Sequence, residues 1–332
     1  MAKVVRFYQH GGPEVLRVEE RAVALPAADE VQIRVQALGL NRAEALLRAG
    51  TYIETAVFPS GLGLEAAGIV AAVGEEVDGF TPGEAVSIIP PVSMVRWPAY
   101  AELINVPVGR VVRNPSSLNA EQAAALWMPY LTAYGALIDI AGLGRGEVVL
   151  ISAASSSVGL AAMQIANMVG AIPVAVTRTS AKRRALLDAG AAHVVAASEE
   201  DLAARLAGIL QIVHGQGVRV VFDPIGGPLF GPLTDAMSRG GILIEYGGLS
   251  REPTPFPLAA VLSKSLTLRG YLVHELIGNP SRLEAAKTFL LEGLACGALR
   301  PIIDRTFTLD QIADAHRYLE GNAQFGKIVV TL

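Results

Sequence analysis

Residues 148–178 read VVLISAASSSVGLAAMQIANMVGAIPVAVTR. Val148–Ser152 is a short apolar run, Val158–Val169 carries an apolar helical pattern stopped by Gly170, and Ile172–Val176 is a second apolar run. Strand, turn, helix and strand in roughly thirty residues make a βαβ unit. Strands that are apolar along their whole length belong to a parallel sheet covered on both faces. The stretch from Val148 to Thr177 has no charge and exceeds the roughly 20 residues that span a bilayer. Ser155, Ser156, Ser157, Gly159, Asn167, Gly170 and Pro173 interrupt it, so it reads as the centre of a soluble domain.

Downstream the alternation continues. A helix over Ala181–Ala189 closed by Gly190, a strand His193–Val195, a helix Asp201–Val213, a strand Val218–Asp223, a helix Pro228–Met237 and a strand Ile242–Tyr246 are expected. The units add up to a doubly wound α/β domain. Upstream the texture changes near Ser117, where Ser117 or Asn119 caps a helix that opens at Glu121 and runs on to Ile138. Before it lie short β-branched runs, Val31–Val35, Ala67–Val73 and Glu84–Ile89, with turns at Gly11-Gly12-Pro13, Gly74-Glu75 and Thr81-Pro82-Gly83. Such spacing suggests a small barrel or rolled sheet. Helices over Pro280–Gly293 and Leu309–Leu319 precede a last strand, Lys327–Leu332, which is expected to close back onto the N-terminal sheet.

At 332 residues the chain is long enough for two domains. With 52% hydrophobic and 17% charged residues it is neither disordered nor a polyelectrolyte, and Cys296 alone excludes a disulfide scaffold. A formal charge of −4 gives no footprint for nucleic acid. The N-terminal MAKVVRFYQHGGPEVL has no apolar core or small-residue cleavage site. A soluble, cytoplasmic protein is expected, whose low charge suggests apolar surface buried between subunits.

The segment after the first strand, AASSSVG at 153–159, lies where a parallel sheet binds a pyrophosphate, at a strand's carboxyl end and a helix N-terminus. The expected GxGxxG is missing; only Gly159 stands, with Ser156 and Ser157 in place of glycines. Serine is tolerated there if neither position needs φ > 0, and its hydroxyl can donate to phosphate. Ser155, Ser156, Ser157, Val158 and Gly159 are therefore candidate cofactor contacts, although an ordinary strand–helix turn remains open. The second strand ends at Thr177-Arg178, followed by Lys182, Arg183 and Arg184, with no acid between Gly159 and Asp188. A dinucleotide site for NADH normally has an acid there for the ribose 2′-OH. A basic, hydroxyl-bearing end suits a 2′-phosphate, which favours NADPH, with Thr177, Arg178 and Lys182 as its contacts. A solvated basic helix face explains Arg183 and Arg184. Asp223 and Gly247-Gly248, at later strand ends, border the same cofactor site or simply form tight turns.

HGGPEVL at 10–16, GLNRAE at 39–44, PSGLGLEAAGIV at 59–70, TPGEAV at 81–86, LTAYGAL at 131–137, AASSSVGL at 153–160, DPIGG at 223–227 and GKIVV at 326–330 follow in one order and spacing. With them the chain resembles, over nearly its whole length, the zinc-independent medium-chain dehydrogenase/reductases of the quinone oxidoreductase (zeta-crystallin-like) family. The resemblance implies a GroES-like β-rich catalytic domain, residues 1–121 completed by 268–332, and a Rossmann NADPH-binding domain, residues 122–267. It also implies a homodimer formed by Rossmann edge strands, here near Leu266–Val273. The positions that hold catalytic zinc in zinc-dependent relatives correspond to Asn41, Leu64-Glu65 and the neighbourhood of Met128. Catalytic zinc needs about three protein ligands, and leucine supplies none. His10, His193, His214, His274 and His316 have no ligand spacing either, so no metal is expected.

Without a Lewis acid, the implied chemistry is hydride transfer to a carbon made electrophilic by conjugation, in a quinone or an α,β-unsaturated carbonyl. Tyr52 matches a family active-site tyrosine and is the expected donor to the substrate oxygen. Asn41 is expected to border the nicotinamide. Tyr130 and Thr132 are expected to line the pocket, Tyr130 for substrate and Thr132 for cofactor. The bland alternatives are a loop tyrosine for Tyr52 and helix core for Tyr130. Two other readings compete: an enoyl-thioester (CoA) reductase, for which Arg96 near Trp97 is a candidate phosphate contact, and a non-enzymatic, crystallin-like NADPH-binding protein.

Overall fold

β-Branched side chains pack well on a pleated surface, and Gly-Pro turns end each run, so the first third of the chain is mostly strand. The computed structural model describes residues 1–212 and 217–332. In chain order it begins with β1 (Ala2–Arg6), β2 (Arg17–Arg21), β3 (Glu30–Gly39), α1 (Arg42–Ala49), β4 (Ala66–Val73), β5 (Ala85–Ile88), β6 (Leu103–Pro107), β7 (Val111–Arg113) and α2 (Ala120–Ala123). The alternating part follows as α3 (Trp127–Tyr134), β8 (Val148–Ile151), α4 (Ser157–Met168), β9 (Ile172–Thr177), α5 (Arg183–Asp188), β10 (His193–Ala196), α6 (Leu202–Ile212) and β11 (Val218–Asp223). Then come α7 (Phe230–Asp235), β12 (Met237–Glu245), α8 (Leu258–Lys264), β13 (Thr267–Gly270), α9 (Val273–Ile277), α10 (Pro280–Ala295), β14 (Ile303–Thr308), α11 (Ile312–Glu320) and β15 (Lys327–Thr331). Val213, the expected end of the α6 helix, and His214 lie outside the described residues.

The chain divides into two units, Met1–Met128 with Pro301–Leu332, and Pro129–Arg300. The first holds a seven-stranded sheet in the order β14-β15-β3-β4-β5-β7, with β6 also paired to β3, and a separate β1-β2 pair. As expected, the last strand closes onto the N-terminal sheet: β15 runs antiparallel to β3, with Val329 opposite Gly39 and Val330 opposite Leu38. The core of this unit contains Phe7, Ile33, Leu38, Leu47, Leu62, Leu64, Ile88, Tyr100 and Ile328. The second unit holds a six-stranded, wholly parallel sheet in the order β10-β9-β8-β11-β12-β13. Numbered within this unit, the order is 3-2-1-4-5-6, that of a Rossmann fold, with the direction of winding reversing between β8 and β11. One face of the sheet buries Val148, Leu150, Val176, Val221 and Leu243 under Leu206, Leu233 and Ala260.

The structure moves both expected domain boundaries. Residues 268–300 belong to the second unit instead of completing the first, because β13 adds a parallel edge to β12 and α10 packs inside that unit. Arg282 of α10 pairs with Asp139 and Glu275, and Phe289 lies 5.1 Å from Tyr134, ring centre to ring centre. Residues 122–128 belong to the first unit, where Ala123 and Ala124 pack with Ala37, Ala67 and Val329. Asn119, rather than Ser117, caps the helix there, accepting from the Gln122 N–H at 2.8 Å. The helix expected through Met237 stops at Asp235, since Met237 pairs with Val218 and already begins β12. One helical stretch, Ala120–Ile140, is long and apolar enough to cross a bilayer, and 78% of its apolar window is buried within the protein.

Candidate active site

β8 delivers the chain to residues 153–156, from which the 12-residue α4 departs. Ser156 caps α4 with φ −72°, its hydroxyl accepting the Gly159 N–H at 3.0 Å, and Ser157 is already helical. Neither serine therefore needs the freedom of glycine. The left-handed residue of the turn is Ala153, at φ 45°. A Cβ on Gly159 would meet the Ala154 carbonyl oxygen at 2.6 Å, so the helix start can press against the strand end only with glycine there. The N–H groups of a helix's first turn have no intrahelical acceptor and, with the dipole, suit an anion.

The end of β9 is basic in space as well as in sequence. Lys182 Nζ donates to Ser155 Oγ at 3.1 Å, which joins the β9 end to the β8 turn. Thr177 is buried, whereas Arg178 is exposed and makes no ion pair among the described residues. Arg183 is held instead by the Val194 carbonyl and Glu200, both at 2.7 Å, and Arg184 by Asp188 on its own helix. The nearby acids are occupied, Glu199 by the Ser180 N–H and Glu200 by Arg183, Arg205 and the Ala196 N–H.

At the ends of β11 and β12, Asp223 stands opposite Glu245 in register. Asp223 accepts from Ser152 Oγ, from the Ile225 N–H at 3.1 Å and from the Gly226 N–H at 2.8 Å. Both carboxyl oxygens of Glu245 are buried without a hydrogen-bond partner. Burial first, then the charge of Asp223, push this carboxyl up to about 9. Tyr246 stacks on Phe222 with ring centroids 4.0 Å apart. A Cβ on Gly247 would come within 2.9 Å of the Pro224 carbonyl oxygen, whereas Gly248 faces open space.

The first unit carries the other candidates in one buried polar network. Asn41 precedes α1; its Nδ2 donates to the Gly39 carbonyl at 3.0 Å and to Glu44 Oε1 at 3.2 Å. Its Oδ1 accepts from Lys327 Nζ at 2.7 Å, and the same ammonium reaches Glu65 Oε2 at 2.5 Å. Glu65 Oε1 takes the Met128 N–H at 3.1 Å. Glu44 receives the Asn41 N–H, the Asn41 amide, the Leu64 N–H and the Tyr100 hydroxyl. Burial pushes the Glu44 and Glu65 carboxyls up, opposed by the Tyr100 hydroxyl and the Lys327 ammonium respectively.

Because Tyr100 donates to Glu44, its oxygen is left to accept from His316 Nε2 at 3.3 Å. His316 Nδ1 then accepts from Arg48 at 3.4 Å, and Arg48 pairs with Glu320 at 2.6 Å. The donors thus point one way, from Arg48 to Glu44, and fix a neutral Nε2–H tautomer. Burial, then the charges of Arg48 and Arg42, lower the imidazole to about 3. Tyr52 is half-buried against the same core and makes no hydrogen bond among the described residues. Burial, then the charges of Glu54 and Glu44, push its hydroxyl up to about 12, so it remains a donor at neutral pH.

Asn41, Tyr52 and Glu44 thus fall together in the first unit, and Ser155 with Lys182 in the second. Tyr130 lies on α3 of the second unit. It is 2% exposed, and its hydroxyl donates to Gln164 Oε1 on α4 at 2.7 Å. Thr132, on the same helix, is buried too. Lys327, Tyr100, His316 and Glu245 were not singled out as functional from sequence. The Asn41–Glu44 spacing of three was the one readable signal, since it is that of a capping box. Arg96 stacks over Trp97, its guanidinium carbon 4.2 Å from the ring centre, in an open depression with Pro91, Val92 and Arg110.

A Rossmann unit of this kind and a GroES-like β unit in one chain define the medium-chain dehydrogenase/reductase class. The description "Alcohol dehydrogenase GroES-like domain" matches residues 27–116, and "Zinc-binding dehydrogenase" matches residues 189–330. Quinone oxidoreductase 1 of Escherichia coli (strain K12) is 32% identical over 98% of this chain and 98% of its own length. The quinone oxidoreductase of Lama guanicoe is also 32% identical, over 100% of this chain and 98% of its own. The solved structure of Escherichia coli quinone oxidoreductase complexed with NADPH matches with a TM-score of 0.90 at 31% identity, covering 100% of both chains. The chain belongs to the quinone oxidoreductase family.

The residues at the zinc positions do not fit a zinc ion. Leu64 has no donor atom, and Glu65 is already engaged by the Lys327 ammonium and the Met128 N–H. The residues of the second unit do fit a phosphorylated dinucleotide: a tight strand–helix turn, a basic β9 end and an orphaned carboxyl at the β12 end.

The neutral His316 sets a pH dependence. Its folded value lies below the usual 6.5, so the unfolded chain binds the extra proton between the two. Stability is therefore expected to fall as pH drops from about 6.5 toward 3, by up to about 1.4 kcal/mol per pH unit from this group. Denaturant unfolding at several pH values should show a flatter acid limb in His316→Gln than in wild type; equal slopes would refute a neutral buried imidazole.

Proposed function

We propose that the protein is a soluble, cytoplasmic NADPH-dependent oxidoreductase that reduces quinones or α,β-unsaturated carbonyls without a metal. The observation that carries this reading is the β9 end, where Arg178 and the Lys182–Ser155 pair offer cationic and hydroxyl donors and every nearby acid is already occupied. A 2′-phosphate fits that arrangement, and a bare ribose 2′-OH lacks its acceptor. The diphosphate would be held by the α4 N-terminus with Ser155, Ser156, Ser157, Val158 and Gly159. Gly247 and Gly248 would flank the cofactor beyond β12, and Thr177 and Thr132 would add contacts from β9 and α3.

Bound NADPH supplies a hydride. The chain's own residues bind, orient and donate hydrogen bonds. Tyr52, whose hydroxyl stays protonated and unengaged, would donate to the oxygen on which negative charge develops. Asn41 cannot swing freely, since its amide hydrogens are taken by Gly39 and Glu44 and its oxygen by Lys327. Its oxygen keeps one further lone pair and would accept from the nicotinamide ribose or carboxamide. The buried network behind Asn41 thus acts as a rigid support.

We further propose a homodimer. β13 is the outer strand of the second unit's sheet, with one edge unpaired among the described residues, and Phe256, Leu258, Leu262 and Leu272 beside it in sequence are exposed. An open edge with apolar neighbours is usually covered in a native protein.

Three outcomes are expected. Arg178→Ala with Lys182→Ala weakens NADPH binding by about tenfold or more per residue and leaves NADH nearly untouched; an equal effect on both cofactors rejects the assignment. Tyr52→Phe lowers quinone turnover by about tenfold or more with little change in NADPH affinity; unchanged turnover reduces Tyr52 to a pocket wall. Light scattering after gel filtration should give twice the 34.8 kDa of one chain, and a monomer would exclude the edge-strand dimer. Oxidation of NADPH by a simple quinone tests the function itself, and its absence with cofactor bound would favour a non-enzymatic role.

A further inference from the structure

Glu245 closes β12 with both carboxyl oxygens shielded from solvent and unpaired. Native folds keep few such groups, and each calls for a partner. On the neighbouring strands the one group within reach is the Asp223 carboxyl, which can share a proton with Glu245 but supplies no cation and no N–H donor. On β11, Asp223 stands across from Glu245 and is itself an acceptor, of Ser152 Oγ and the Ile225 and Gly226 N–H groups. On β13 the register partner is Gly270, which has no side chain. Among the described residues no ammonium or guanidinium pairs with Glu245. The titratable groups that face it are Asp223 and the adjacent Tyr246. Two carboxylates side by side in such a setting cannot both stay ionised, so the unpaired one keeps its proton.

The strand order says which part of a ligand Glu245 meets. With the basic β9 end and the β8 turn taking the phosphorylated adenosine half and the diphosphate, β11 and β12 lie beyond the switch point and serve the other half. We infer that Glu245 is a cofactor-binding residue that acts as a neutral carboxylic acid, donating a hydrogen bond to an uncharged polar group on the nicotinamide–ribose half. As an acid it can donate and accept, which matches hydroxyl and carboxamide groups, whereas an ionised carboxylate would also repel the nearby diphosphate. The inference rests on the nucleotide reading of the second unit.

Calorimetric titration of the full chain with NADPH, and with 2′,5′-ADP as a fragment carrying only the phosphorylated adenosine half, tests it. Wild type should lose NADPH affinity above about pH 9, where the carboxyl ionises. E245Q should bind within about twofold of wild type at neutral pH and lose that alkaline step. E245L should weaken NADPH by about tenfold. All three should bind 2′,5′-ADP alike, which separates a lost contact from a damaged fold. Wild-type NADPH affinity in E245L, an undiminished alkaline loss in E245Q, or an equal loss on both ligands overturns the role of Glu245 while the nucleotide reading survives. A wild-type chain that binds neither ligand removes the nucleotide reading, and this inference with it.

Discussion

Lys327 is 1% exposed and Glu65 is fully buried, and their contact ties the last strand of the chain to the segment that precedes β4. Buried charges are tolerated only when paired and hydrogen-bonded, and deleting one partner of such a pair costs about 3–5 kcal/mol. Asn41 is the third member, so the ammonium that neutralises Glu65 also orients the candidate active-site amide. A Cβ on Gly39 would meet the Lys327 side chain at 2.6 Å and the Ala124 carbonyl oxygen at 2.0 Å, so this glycine makes room for the whole arrangement. The Lys327 ammonium supplies from within the chain the positive charge that the buried Glu65 carboxylate requires.

The network continues through Glu44 to Tyr100, His316 and Arg48, all buried, and reaches the surface at Glu320. Its members come from α1, α11 and the segments beside them. Its donors and acceptors are paired along the chain of contacts, so protonation states and orientations are set together. Such a support fixes the amide of Asn41 and leaves the Tyr52 hydroxyl as the unengaged donor nearby. That division between a locked group and a free one suits a site whose task is orientation and stabilisation of developing negative charge.

The second unit solves a different problem. A parallel sheet brings all its strand ends to one edge, where helix N-termini and turn amides gather. Ser156 and Gly159 set the turn geometry, Lys182 bridges to Ser155, and Asp223 holds the Gly226 turn. Among the described residues no N–H or cation pairs with the Glu245 carboxyl oxygens on that edge, and a polar group left this way has a ligand as its natural complement.

Much of this was legible in residue order. Apolar runs that do not alternate announced the parallel sheet, small residues after Ile151 announced a tight strand–helix turn, and the residues after Val176 announced a basic strand end. These are local signals, since strand burial, turn geometry and helix polarity act over a few neighbouring residues. Tertiary structure alone decided the rest. Tyr130 turned into the core because Gln164, 34 residues on, lay under it, and residues 268–300 joined the second unit because β13 found an edge there. Lys327 meets Asn41 across a separation of 286 residues, and Glu245 meets Asp223 through strand register. Side chains far apart in sequence acquire a charge partner, or fail to, only when the sheets close, and no local pattern encodes that.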